Sequence, residues 1–170
     1  MENKYSLWLI PTGEVYNKFA KIISDLAKEY NAPIFEPHVT LIGGIVGTEE
    51  ELSVKTARLA EIIRPFKIKL NRMDYFPERH RALIIRAEKT NELIEAKNRA
   101  IEVFNLPLVE YMPHLSLLYG DFSSATKEKI IRKLGSKFDD EFEIKSIYLY
   151  YTSGEEQEEN WHKIREFSFK

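Results

Sequence analysis

A ten-residue block of this chain occurs twice, 76 residues apart, and that repeat limits what the chain can fold into more than any other feature. Phe35-Glu36-Pro37-His38-Val39-Thr40-Leu41-Ile42-Gly43-Gly44 lies without a gap over Tyr111-Met112-Pro113-His114-Leu115-Ser116-Leu117-Leu118-Tyr119-Gly120. Pro, His, Leu and Gly recur identically; Phe/Tyr, Val/Leu, Thr/Ser and Ile/Leu recur in kind. The same offset lays Phe66-Lys67-Ile68-Lys69 over Phe142-Glu143-Ile144-Lys145, and Leu7-Trp8-Leu9-Ile10 over Leu83-Ile84-Ile85-Arg86. Three matches at one offset point to an internal duplication. Its record sits in strand-like segments, because the helical stretches between them do not match position for position.

The periodicities agree with two copies of one unit. Residues 4–10 read as a strand, and Val15, Phe19, Ile22, Ile23, Leu26 and Tyr30 recur at helical spacing. After Pro33 and Pro37 comes a strand from His38 to Ile42. A helix marked by Leu52, Thr56, Leu59, Ala60 and Ile63 is stopped by Pro65, and a strand follows from Phe66 to Phe76. Residues 77–81 link the halves. The cycle repeats as strand 82–87, helix 91–104, strand 114–119, helix 126–134 and strand 141–151, with a final strand at 162–169. No glycine-rich turn follows the first strand and no dinucleotide fingerprint is present, which argues against a parallel doubly wound sheet. The expected fold is α+β and bilobal: pseudo-twofold, duplicated β-α-β-α-β units with mostly antiparallel sheets, flanked by helices around a central cleft. Residues 1–170 are read as a single domain, with repeats at about 4–76 and 80–151.

Composition removes several chemistries. The absence of cysteine excludes a thiol nucleophile, a disulfide scaffold and Cys-ligated metal. A net charge of -2 argues against a protein held on long nucleic acid by a basic face. The early apolar run Leu7-Trp8-Leu9-Ile10 is too short for a signal-peptide core or a membrane span. A soluble, cytoplasmic monomer with no membrane partner is the expectation.

Side chains two apart in a strand share a face, so His38 with Thr40, and His114 with Ser116, each present an imidazole beside a hydroxyl. A lone strand histidine usually has a structural role, but that role does not require the same His and the same hydroxyl in both copies. A metal centre is the next alternative; two His without Cys, and without a carboxylate at ligand spacing, supply too few ligands. What remains is paired acid–base chemistry. One imidazole can deprotonate an attacking water while the other protonates a leaving oxygen. Thr40 and Ser116 can hydrogen-bond the phosphoryl oxygens as charge develops. A strained cyclic phosphate ester suits such a site without metal, and a bell-shaped pH–rate profile with limbs on both sides of neutrality is expected.

Two His-x-[Thr/Ser]-apolar motifs in a chain of this length resemble the two-histidine phosphoesterases. With Tyr5-Ser6-Leu7-Trp8-Leu9-Ile10-Pro11, Pro37-His38-Val39-Thr40 and the run from Tyr111 to Tyr119, the chain is similar to the plant and fungal cyclic phosphodiesterase branch, from Tyr5 to Trp161. The resemblance implies hydrolysis of ADP-ribose 1″,2″-cyclic phosphate to ADP-ribose 1″-phosphate, and of nucleoside 2′,3′-cyclic phosphates to 2′-phosphates. It implies His38 and His114 as the catalytic pair, with Thr40, Ser116 and Tyr119 on the phosphate and Trp8 where base or ribose is held. Tyr119 has the opposite strand parity from His114, so it reaches the cleft only if the strand bends or ends near Gly120. Trp8 lies in an apolar strand, where core packing is the alternative.

The expected partner is thus a small cyclic-phosphate nucleotide, with no cofactor and no metal. An RNA-end-processing enzyme of the same superfamily, or a non-catalytic nucleotide-binding module, are the competing readings. His80 and His162 read as solvated turn residues. Arg64, Lys67, Lys69 and Arg72 read as a solvated basic strand face, and Glu155 to Asn160 as a solvated acidic loop.

Overall fold

The computed structural model describes residues 3–153 and 158–170. In chain order the elements are β1 (Lys4–Leu9), α1 (Gly13–Tyr30), β2 (Val39–Val46), α2 (Glu49–Ile62), β3 (Phe66–Asp74), a 3-10 turn (Arg79–Arg81) and β4 (Leu83–Ala87). They continue with α3 (Asn91–Phe104), β5 (His114–Leu118), α4 (Ser124–Leu134), β6 (Glu141–Ile144), β7 (Ser146–Tyr151), a second 3-10 turn (Glu158–Asn160) and β8 (His162–Ser168). The strands form one eight-stranded sheet in the order β6-β3-β4-β5-β2-β1-β7-β8. Every pairing is antiparallel. The fold is α+β as expected.

Register shows the duplication independently of sequence identity. β2 meets β5 at the single pair Val39↔Leu115, and β3 meets β6 with Lys67 opposite Glu143. Each pair joins residues 76 apart, so a pseudo-twofold axis passes through both. The expected continuous strand 141–151 is broken at Lys145, because its two parts serve opposite ends of the sheet. β6 pairs with the first half of β3, and β7 pairs with β1. β3 in turn leaves its own repeat to pair with β4. The two sequence repeats are therefore interleaved, each lending its third strand to the other's side.

The helices follow from their apolar stripes. α1 buries Phe19, Ile23, Leu26 and Ala27, an i, i+4, i+7, i+8 set, and packs on β5. α3 packs on β2 and β3. Each helix thus braces the His-bearing strand of the other repeat. α2 starts at a reciprocal cap in which Thr48 and Glu51 satisfy each other's backbone N–H groups. Among the described residues no helix is long and apolar enough to cross a membrane.

Candidate active site

The β2–β5 crossing builds the site. Val39 and Leu115 are fully buried on the core side. One step either side of that pair, the register sets His38 opposite Ser116 and Thr40 opposite His114. All four side chains line one cleft of about 360 Å3, together with Trp8 and Tyr119. The structure thus brings all six expected site residues together, and Tyr119 can join because β5 ends at Leu118. Gly120 then takes φ +139°, where a Cβ would lie 2.6 Å from the Phe122 ring.

The two imidazoles are held alike. His38 Nδ1 lies 2.6 Å from the Glu36 carbonyl oxygen, and His114 Nδ1 lies 2.8 Å from that of Met112. A carbonyl only accepts, so both Nδ1 atoms carry the proton and donate. Each neutral ring therefore keeps Nε2 as its basic nitrogen, which is the tautomer proton transfer needs. Burial, offset in part by the Glu36 carbonyl and reinforced by the proximity of His114, pushes His38 from its ordinary 6.5 down to about 3. Burial also lowers His114, and the Arg81 and Arg86 guanidinium groups lower it further.

The depressed imidazole couples folding to pH. Unfolded, His38 titrates near 6.5; folded, it does so at about 3. Between those values the unfolded chain binds a proton that the folded chain does not. The stability that the neutral ring contributes is intact above pH 6.5 and is lost as pH falls toward 3. Thermal melts across that window should show Tm falling with pH, and His38→Asn, which keeps a donor for the Glu36 carbonyl, should flatten the decline.

Trp8 does not offer a free platform. Its indole is stacked between His38, at 3.6 Å and 10° off parallel, and Tyr150, at 3.9 Å. With both faces covered it cannot stack on a base; it fixes the plane of His38 and shows its edge to the cleft. Phe35 packs edge-on to His38 and stacks on Tyr119 at 3.7 Å. Burial raises the Tyr119 hydroxyl's pKa, keeping it a neutral donor within reach of the Ser116 side chain.

The hydroxyls are not equivalent. Ser116 Oγ donates to the His80 carbonyl at 3.0 Å. Thr40 Oγ1 has no hydrogen-bond partner among the described residues, and its backbone is anchored instead. Tyr111 donates its hydroxyl to the Thr40 carbonyl at 3.0 Å. The register skips at Leu41, between Trp8↔Thr40 and Leu7↔Ile42, making it the extra residue of a bulge. Buried Lys97 donates Nζ to the Leu41 carbonyl at 3.0 Å, 4.8 Å from the Tyr111 ring centroid. Bulges re-aim side chains beside active sites, and this one is held by two side chains from outside the strand.

Two expectations are corrected. His80 is not a solvated turn residue: it lines the cleft, and its Nε2 lies 3.1 Å from Glu158 Oε1. Glu158 is not a solvated loop residue. It is 4% exposed and also accepts from Arg79 Nε at 3.1 Å, so the ion pair compensates its burial. Glu155, Glu156 and Gln157 lie outside the described residues. The Glu158 carbonyl accepts from the Trp161 backbone N–H at 3.1 Å, and the Trp161 ring lines the cleft 6.0 Å from both Trp8 and Tyr119. His162 is exposed. Lys67 and Lys69 are ion-paired on β3, away from the cleft.

The cleft also gathers Lys4, Ser6, Arg81 and Thr152, which the motifs did not reveal. Lys4 and Ser6 share the parity of Trp8 on β1, so period two from Trp8 is the signal that finds them. His80 and Arg81 carry no such signal, since only folding brings the linker onto β5. Among the described residues no three His, Cys, Asp or Glu side chains converge as metal ligands.

Comparison with known proteins agrees with this geometry. A family model described as cyclic phosphodiesterase-like protein matches residues 1–169. The chain is 26% identical over 166 residues to a cyclic phosphodiesterase of Arabidopsis thaliana, covering 94% of this chain and 92% of that protein. TT0787 of Thermus thermophilus shares the fold with a TM-score of 0.71 at 16% identity, covering 98% of this chain and 97% of its own. E. coli LigT does so at 0.65 and 13% identity, over 99% of each chain. An antiparallel sheet with two His-bearing strands crossing on a pseudo-twofold axis, and a family match along its whole length, make this chain a member of the cyclic phosphodiesterase-like family of two-histidine phosphoesterases, enzymes that hydrolyse cyclic phosphates.

Proposed function

We propose that the chain hydrolyses ADP-ribose 1″,2″-cyclic phosphate to ADP-ribose 1″-phosphate, and nucleoside 2′,3′-cyclic phosphates to 2′-phosphates, with His38 and His114 as paired acid and base and without metal. The observation that carries this reading is the matched tautomer of the two rings: each Nδ1 is committed to a carbonyl, leaving each Nε2 for proton transfer. One Nε2 takes the proton of a water as its oxygen bonds to phosphorus. The other Nε2–H delivers a proton to the leaving ribose oxygen as the P–O bond breaks. Thr40 and neutral Tyr119 donate to the non-bridging oxygens, and Ser116 joins them by turning its hydroxyl from the His80 carbonyl. Structures of LigT with 3′-AMP, ATP and NADP+ support nucleotide-shaped ligands for this fold.

The active pair carries one proton. Both rings are depressed in the free protein, so burial moves the kcat/KM bell to the acid side of neutrality, in contrast to limbs straddling pH 7. A bound phosphate anion favours the imidazolium, so the descending limb of kcat should lie at higher pH than that of kcat/KM. A pH–rate series on 2′,3′-cyclic AMP checks both. Turnover compared on ADP-ribose 1″,2″-cyclic phosphate, 2′,3′-cyclic AMP and an oligoribonucleotide ending in a 2′,3′-cyclic phosphate tests the substrate class. Faster turnover of the small nucleotides is expected; turnover of the oligonucleotide alone would overturn the reading.

A further inference from the structure

We infer that Lys4, Ser6 and Thr152 form a second anion subsite in the cleft, which holds a phosphate on the 5′ side of the reacting ribose. This deepens the proposed function and rests on it. The subsite begins with strand alternation: Lys4, Ser6 and Trp8 form the cleft face of β1, while Tyr5, Leu7 and Leu9 enter the core. Trp8 is stacked on His38, so the row leads outward from the imidazole pair. Two strand residues, about 7 Å, separate Trp8 from Ser6, a distance on the scale of one ribose, and Lys4 stands one further step out.

The chemistry of the row suits an anion. Ser6 is buried, and its Oγ lies 3.0 Å from Thr152 Oγ1. Two paired hydroxyls spend one proton on each other, so the second remains for another acceptor. The neighbouring strand adds only backbone beside Ser6: on β2 a Cβ at Gly43 would lie 3.3 Å from Ser6 Oγ, and Gly44 takes φ +68° with open space where its Cβ would be. Charge is distributed unequally along the cleft. His80 is tied to Glu158 and Arg81 to Glu78. Lys4, among the described residues, has no carboxylate within ion-pair distance and reaches the cleft from its exposed rim. One end therefore offers, among the described residues, an unpaired cation and hydroxyls, and the other offers Trp161, Tyr119, the Glu158-bound His80 and the Glu78-paired Arg81. That polarity favours a substrate with its additional phosphate toward Lys4. A 5′-phosphate and the pyrophosphate of an ADP-ribose derivative share this chemistry.

Calorimetric titration of adenosine 2′-phosphate and adenosine 2′,5′-bisphosphate separates the subsite from catalysis. At low salt the bisphosphate should bind about tenfold more tightly, with the gap narrowing as salt rises. Lys4→Gln should remove most of that advantage, and Ser6→Ala part of it. ADP-ribose 2″-phosphate, carrying a pyrophosphate, distinguishes the two sources: a larger Lys4-dependent advantage than the bisphosphate's assigns the subsite to pyrophosphate, a smaller one to the monoester. Equal affinity for the mono- and bisphosphate, or an advantage that survives Lys4→Gln, overturns the subsite. Turnover of 2′,3′-cyclic AMP is measured in parallel. Its absence alongside a Lys4-dependent advantage would sink the catalytic reading and leave the subsite standing.

Discussion

His38→Ala and His114→Ala should each lower kcat on a cyclic phosphate by about 10²–10⁴-fold, because in the proposed mechanism each removes one of the two groups that move protons in a single displacement. The double variant should lose much less than the product of the two, since groups acting as one unit are not additive. The two singles should also differ in stability. His38 is 6% exposed and packed between the indole of Trp8 and the edge of Phe35, so its removal leaves a void. His114 is half-buried, so its removal leaves a smaller void. Steady-state kinetics with thermal melts on all three variants checks both statements. Near-wild-type turnover in either single variant would make these histidines structural.

Thr40→Val should reduce kcat by about 10²–10³-fold, the loss expected for one oxyanion donor. Valine preserves the shape of the side chain, and the Tyr111 and Lys97 contacts to the β2 carbonyls do not depend on the hydroxyl. Ser116→Ala should cost less in kcat, because in the free protein that hydroxyl proton is spent on the His80 carbonyl. It should lower Tm as well, by leaving that carbonyl without its donor. A larger kcat effect at Ser116 than at Thr40 would contradict this unequal assignment.

How legible the site was in the sequence follows from what carries each residue. His38, Thr40, His114 and Ser116 stand in a duplicated motif on strands, where period two alone sets their common face. The register pairs Val39↔Leu115 and Lys67↔Glu143 realise the 76-residue offset as a rotation axis. Strand partnership was harder to read. The alternation does change phase there, from buried Phe142 and Ile144 to buried Ile147 and Leu149 with Lys145 and Ser146 between, but a change of phase does not say that the chain passes from β3 to β1. Strand periodicity puts Trp8 on the face of Lys4 and Ser6, but its stacking on both His38 and Tyr150 depends on β7 lying beside β1. His80 and Glu158 escaped for the same reason. They are 78 residues apart, each reads as polar loop, and only the fold brings them into contact at the cleft, where the Glu158 carbonyl also accepts from the Trp161 backbone N–H.

The central claim is that a pair of histidines hydrolyses a cyclic phosphate without a metal ion. Product analysis after incubation of the purified protein with 2′,3′-cyclic AMP, in the presence and absence of EDTA, tests it most directly. The expected result is adenosine 2′-phosphate as the single product, formed at the same rate in both samples. Loss of turnover in EDTA that zinc or magnesium restores, or release of the 3′-phosphate instead, would contradict it.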